Sequence, residues 1–125
     1  MPPAMLVAVV EDDEPSRAAM GRVLRAGGFE PVLFNSAEAF LEAAPTRSPL
    51  CLIVDVHLTG MSGIELQRRL RETGVAPPII ITTGDREESV RVRAQQNGCT
   101  AFLQKPFDST TLLRLITSIA RERRP

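Results

Sequence analysis

Residues 5–15 read Met5-Leu6-Val7-Ala8-Val9-Val10-Glu11-Asp12-Asp13-Glu14-Pro15: six apolar residues, four acids, then a proline. A short apolar run with no alternating polar residue suits a strand covered on both faces, as in a parallel sheet. Pro15 stands where the first turn of a helix tolerates a missing N–H. The stretch therefore predicts a strand, an acidic turn and a helix.

The same order recurs four more times. Apolar runs at 31–34, 50–54, 78–82 and 100–103 alternate with amphipathic stretches that carry helix punctuation. Gly27 and Gly28 end the first helix, and Ser36 caps a second that stops before Pro45. Ser62 with Glu65, and Asp85 with Glu88, give capping-box patterns for the third and fourth, closed by Gly74 and by Asn97-Gly98. Asp108 caps the fifth, where Leu112, Leu115, Ile116 and Ile119 form one apolar stripe. Five such units predict an α/β fold with a five-stranded parallel sheet, helices on both faces and right-handed crossovers, a flavodoxin-like (βα)5 arrangement.

Composition narrows the function. The 125 residues suit one domain, and the formal net charge is zero, so no nucleic-acid field is implied. Direct nucleic-acid binding is not expected, since there is no basic stripe, finger spacing or aromatic stacking platform. Cys51 and Cys99 are not closely spaced and read as small core residues, which fits a reducing cytosol. No signal peptide or membrane span is predicted, and the location expected is cytoplasmic.

The polar residues that follow the strands decide the rest. Glu11 to Glu14 follow the first strand, Asp55 the third, Thr82-Thr83-Gly84 the fourth and Lys105-Pro106 the fifth. Ligands of an open parallel sheet bind at this carboxyl edge, where the strand order reverses. Only the second strand contributes nothing there, as expected of an outer strand in the order 2-1-3-4-5. A phosphate-binding fold would carry a glycine-rich loop after its first strand, and four acids there invite a cation instead. Two carboxylates ~5 Å apart repel by roughly 3 kcal/mol at an effective dielectric of about 20. All-oxygen donors select a hard ion, Mg²⁺ rather than zinc. Lys105 is the single lysine beside fourteen arginines, and a compact ammonium there suits a phosphoryl oxygen.

With Val9-Val10-Glu11-Asp12-Asp13, Asp55 after Leu52-Ile53-Val54, Met61-Ser62-Gly63, Thr83-Gly84 and Lys105-Pro106-Phe107 in this order, the chain resembles the receiver domain of bacterial two-component response regulators. The resemblance spans about residues 4–122, with 1–3 and 123–125 as terminal extensions. It implies that Asp55 is the phosphoacceptor, served by a sensor histidine kinase or a phosphotransfer protein. Asp12 is then the main carboxylate ligand of Mg²⁺, Glu11 its acidic neighbour, and the His57 backbone carbonyl a further ligand. Thr83 is the hydroxyl that turns to the phosphoryl group, chosen over Thr82 by its interval from Lys105, with Thr82 pointing elsewhere. Lys105 binds a phosphoryl oxygen, and its bond to Pro106 is expected to be cis. Phe102 is either a core aromatic or the aromatic whose rotamer follows Thr83. The His57 side chain is expected at the rim of the site. Asp13 and Glu14 are expected to cap the first helix and face water.

The resemblance also implies a signalling domain and not an enzyme. Its output surface is expected on the fourth helix, fifth strand and fifth helix, which would also carry a homodimer. A C-terminal DNA-binding effector outside this chain is the expected output. The loop Leu58-Thr59-Gly60-Met61 departs from the family, which often has proline four residues past the acceptor, and implies a less rigid loop. A receiver-like interaction module that is never phosphorylated shares the fold. A haloacid-dehalogenase-like phosphatase would need a second Asp where His57 stands, and a flavin binder would need hydroxyls where the acids stand.

Overall fold

In the computed structural model, residues 5–43, 49–74, 76–84 and 86–122 are described. The elements run β1 (Leu6–Val10), α1 (Glu14–Ala26), β2 (Glu30–Phe34), α2 (Ala37–Ala43), β3 (Cys51–Asp55), α3 (Gly63–Glu72), β4 (Ile79–Thr83), α4 (Glu88–Gln96), β5 (Ala101–Gln104) and α5 (Ser109–Glu122). All strand pairs are parallel, and the sheet order is β2-β1-β3-β4-β5. This is the order and fold class that the sequence predicted.

Strand alternation divides the core into two layers. Ala8, Val10, Leu52, Val54, Ile79 and Ile81 pack against α2, α3 and α4. Val7, Val9, Cys51, Ile53 and Ile80 face the other way, against Leu24 of α1 and Leu112, Ile116 and Ile119 of α5. Every residue of β3 and β4 is buried, whereas β2 and β5 at the edges are partly exposed. Burying each such aliphatic side chain contributes roughly 1.5–3 kcal/mol, which is why the central strands read as unbroken apolar runs. Cys51 is buried as expected, but Cys99 is only half-buried against the α2–α4 layer.

The caps read from sequence are formed by side chains that accept main-chain N–H bonds. Asp13 accepts from Ser16 at 3.0 Å, Ser36 from Ala39 at 3.0 Å, Ser62 from Glu65 at 3.1 Å and Asp108 from Thr111 at 2.7 Å. Glu14 is the first residue of α1, and both it and Asp13 are exposed. The Glu65 carboxylate is turned along α3 to Arg68, at 2.6 and 2.9 Å. The pattern for α4 does not hold. Asp85 and Pro45 lie outside the described residues, and α4 begins only at Glu88, after an N-cap Glu87 whose side chain makes no capping bond.

The ladder also extends past the apolar runs. Val56 N donates to Thr82 O at 3.0 Å and Lys105 N to Thr83 O at 2.7 Å, so Asp55 and Thr83 are the last residues of their strands rather than loop residues. The start of α3 is pressed onto this edge. A Cβ at Gly63 would lie 2.2 Å from the Asp55 carbonyl oxygen and 2.9 Å from Val54 Cγ1, which only glycine avoids.

Candidate functional site

Three strands bring the expected residues together. Glu11 and Asp12 follow β1, Asp55 ends β3, and Lys105 follows β5. Carboxylate oxygens of Glu11, Asp12 and Asp55 all lie within 4.8 Å of one another. The Lys105 ammonium donates to Glu11 Oε1 at 2.7 Å and to Asp55 Oδ2 at 3.2 Å. Glu11 and Asp55 are buried, at 6% and 8% exposure, so these two acids are desolvated while Asp12 reaches solvent.

The burial shows in the acid–base properties. Burial pushes the Glu11 carboxyl above its ordinary range and the field of Asp55 adds to this, with Lys105 offsetting only part. Burial alone would lower the Lys105 ammonium, but the bond to Glu11 and the charges of Asp55 and Glu11 together hold its pKa above the ordinary value. Three acids facing one ammonium leave an excess of negative charge at the edge of the sheet.

The donor set fits Mg²⁺. It is all oxygen, it is excessively negative, and it is compact. The three oxygens already lie within 4.8 Å of one another, close enough for small side-chain movements to bring them to one hard cation. His57 N donates weakly to Asp55 Oδ1 at 3.4 Å, which lays the His57 backbone against the acid, and the residue is exposed.

Thr83 is fully buried. Alternation puts it on the face of Ile81 and of Phe102, which is Ile81's register partner. Phe102 is half-buried and packs on the α2–α4 layer. Thr82 does not point away from the site as expected. It is the register partner of Asp55, and alternation puts both on the α1/α5 face. The Lys105–Pro106 bond is cis. A Cβ on Gly84 would meet nothing within 4 Å. Beside Glu11 and Lys105, between α1 and α5, lies a cavity of about 530 Å³ lined by Met20, Val23, Phe107 and Leu112 among others.

Three neighbours escaped the sequence reading. Arg17 Nη1 donates to the carbonyls of Glu11 at 2.9 Å and Asp12 at 3.4 Å, so α1 grips the acidic turn. Thr59 donates to Asp12 Oδ2 through both its N–H (3.0 Å) and its hydroxyl (3.1 Å). Met61 N donates to Glu38 Oε2 of α2 at 3.1 Å. The loop expected to be less rigid is therefore braced on both sides of Gly60. Arg17 could have been suspected from its position one helical turn beyond the acids, but nothing local links Thr59 to Asp12.

The family model for the response regulator receiver domain matches residues 7–117. The transcriptional regulatory protein FixJ of Bradyrhizobium diazoefficiens is 37% identical over 117 residues, covering 94% of this chain and 57% of that protein. Nodulation protein W of the same organism is 36% identical over 120 residues, covering 95% of this chain and 53% of that protein. The chain thus spans about half the length of these curated relatives. The crystal structure of FixJ-N superposes with a TM-score of 0.88 at 32% identity, covering 98% of both chains.

Proposed function

This chain belongs to the response regulator receiver domain family, and on that premise we propose that it switches when Asp55 accepts a phosphoryl group. One observation carries the reading: the only lysine of the chain bridges Glu11 and Asp55, with the Asp12 carboxylate in the same cluster. The phosphodonor is a sensor histidine kinase or a phosphotransfer protein. An Asp55 carboxylate oxygen attacks the phosphorus of a phosphohistidine, the P–N bond breaks, and the imidazole leaves. Such transfer needs positioning and charge neutralisation more than acid–base chemistry.

Glu11, Asp12, Asp55 and the His57 carbonyl would hold Mg²⁺, which when bound neutralises charge on the phosphoryl oxygens. Lys105 exchanges its contact with Asp55 for a phosphoryl oxygen. Gly84 leaves room beside the phosphorus. Thr83 turns its hydroxyl toward the new group, vacating space on the face it shares with Phe102. These contacts exist in only one of two conformations, so phosphorylation shifts the population toward it. The output face is α4, β5 and α5. The weak anchoring of α4, with Val90 and Ala94 its only buried residues among those described and no side-chain cap, supports this.

In the whole protein we place this domain, over about residues 4–122, in the cytoplasm, ahead of a DNA-binding effector and able to pair with a second copy through the same face. Its relatives are about twice its length, and FixJ is named a transcriptional regulator. None of the described helices is long and apolar enough to cross a membrane. The domain turns over no separate substrate.

Incubation with Mg²⁺ and acetyl phosphate, read by intact mass, tests the proposal. A phosphoryl adduct that Asp55→Asn abolishes is the expected result. An adduct that survives in Asp55→Asn, or none in the wild type, would overturn it.

A further inference from the structure

We propose that Thr59 is a positioning residue of the cation site. Its main-chain N–H and its hydroxyl together hold Asp12 in the ligand cluster and so set how tightly a divalent cation binds. This rests on the receiver reading of the same carboxylates. Asp12 faces two like charges, since oxygens of Glu11 and Asp55 lie within 4.8 Å. The ammonium that relieves the other two does so by direct bonds to Glu11 and Asp55. Arg17 reaches the Asp12 carbonyl. The Asp12 carboxylate, closest of the three to solvent, is instead restrained by Thr59 across 47 residues of sequence.

The geometry favours holding over blocking. Both Thr59 donors bond the same oxygen, Oδ2, at 3.0 and 3.1 Å, so a single oxygen takes the restraint and the carboxylate keeps a second one.

The donor is itself held firmly. Two residues on, Met61 N bonds Glu38 Oε2, and that bond heads the causes that lower the Glu38 pKa. Between them Gly60 has φ +83°, and a Cβ there would fall 2.5 Å from Glu38 Oε2. The stretch from Thr59 to Met61 is thus fixed between carboxylates of two other elements, and it passes that fixity to Asp12. A carboxylate free to swing from its neighbours must be brought back, against their repulsion, each time an ion binds.

The test is the Mg²⁺ dissociation constant of the full chain by isothermal titration calorimetry, with urea midpoints measured alongside. Thr59→Val keeps the N–H and loses the hydroxyl, and is expected to weaken Mg²⁺ binding roughly three- to ten-fold. Thr59→Pro, which loses both donors, is expected to weaken it further. Thr59→Ser is expected to restore wild-type affinity, a rescue that a general packing role for the side chain would not give. Binding by Thr59→Val as tight as wild type or tighter would overturn the proposal, as would a Thr59→Ser variant no better than Thr59→Val. Asp12→Asn separates the two readings. If the wild type binds no Mg²⁺, or binding survives Asp12→Asn, the cation site itself is wrong; if only Thr59→Val is silent, the site stands and the role of Thr59 falls.

Discussion

The Lys105 ammonium stands 3.2 Å from Asp55 Oδ2 although 50 residues separate the two in sequence. The same ammonium lies 2.7 Å from Glu11 Oε1, so it screens two buried acids from each other. Replacing it with a neutral side chain leaves both acids uncompensated. Lys105→Met is expected to lose about 1–2 kcal/mol of stability near pH 7, less than for a fully buried pair because the ammonium is 30% exposed. Millimolar Mg²⁺ is expected to restore most of it. Thermal melts with and without Mg²⁺ check this, and equal melting temperatures for both proteins in both buffers would refute it.

Glu11 carries an opposite penalty. Its folded pKa is raised above 4.5, so the folded state is favoured by this group below pH 4.5, and the benefit is lost as pH rises through the folded value. At neutral pH the ionised carboxylate therefore destabilises the cation-free fold. Glu11→Gln, which still accepts from Lys105, is expected to melt a few degrees higher than wild type at pH 7, with the gain vanishing toward pH 4. Its Mg²⁺ affinity is expected to fall. A lower melting temperature at pH 7 would contradict the argument.

The close approach of α3 to the acceptor gives a steric prediction. Gly63→Ala puts a methyl group 2.2 Å from the Asp55 carbonyl oxygen, so backbone must move. Overpacking of this kind typically costs about 1–3 kcal/mol, and here it also shifts the acceptor. Urea denaturation is expected to show a loss of that size, accompanied by slower phosphorylation from acetyl phosphate. Unchanged stability would mean that α3 docks less tightly than described.

Two adjacent hydroxyls should separate by function. Thr82 shares the register and face of Asp55, whereas Thr83 shares the face of Phe102. In Thr83→Val, phosphorylation is expected to proceed while the accompanying NMR shift changes across β5 collapse. In Thr82→Val those changes are expected to persist, with an altered lifetime of the phosphorylated form. Retained β5 shifts in Thr83→Val would reassign the switch.

Much of this was legible because the evidence is local. Unbroken aliphatic runs mark β1, β3 and β4, and side-chain caps such as Ser36, Ser62 and Asp108 announce helices one residue ahead. Lys105 stood out by rarity and Asp55 by its position after an apolar run. What could not be read depends on partners distant in the chain. That β3 and β4 carry their ladder through Asp55 and Thr83 is decided between strands. So is the pairing of Thr82 with Asp55, because register is not written in either strand alone. The start of α4 differs for another reason: an acid three residues before a glutamate is a frequent pattern, and here Glu87 is the residue at the N-cap.

The two core layers have one more implication. Glu11 and Lys105 line the cavity between α1 and α5, strand alternation puts Asp55 on that side too, and it puts Thr83 and Phe102 on the other. The sheet separates the two sets, and β4 reaches both: Thr82 stands beside Asp55, and Thr83 lies behind it. Neighbouring residues of one strand therefore answer to different halves of the molecule, so substitutions at 82 and at 83 can have independent consequences.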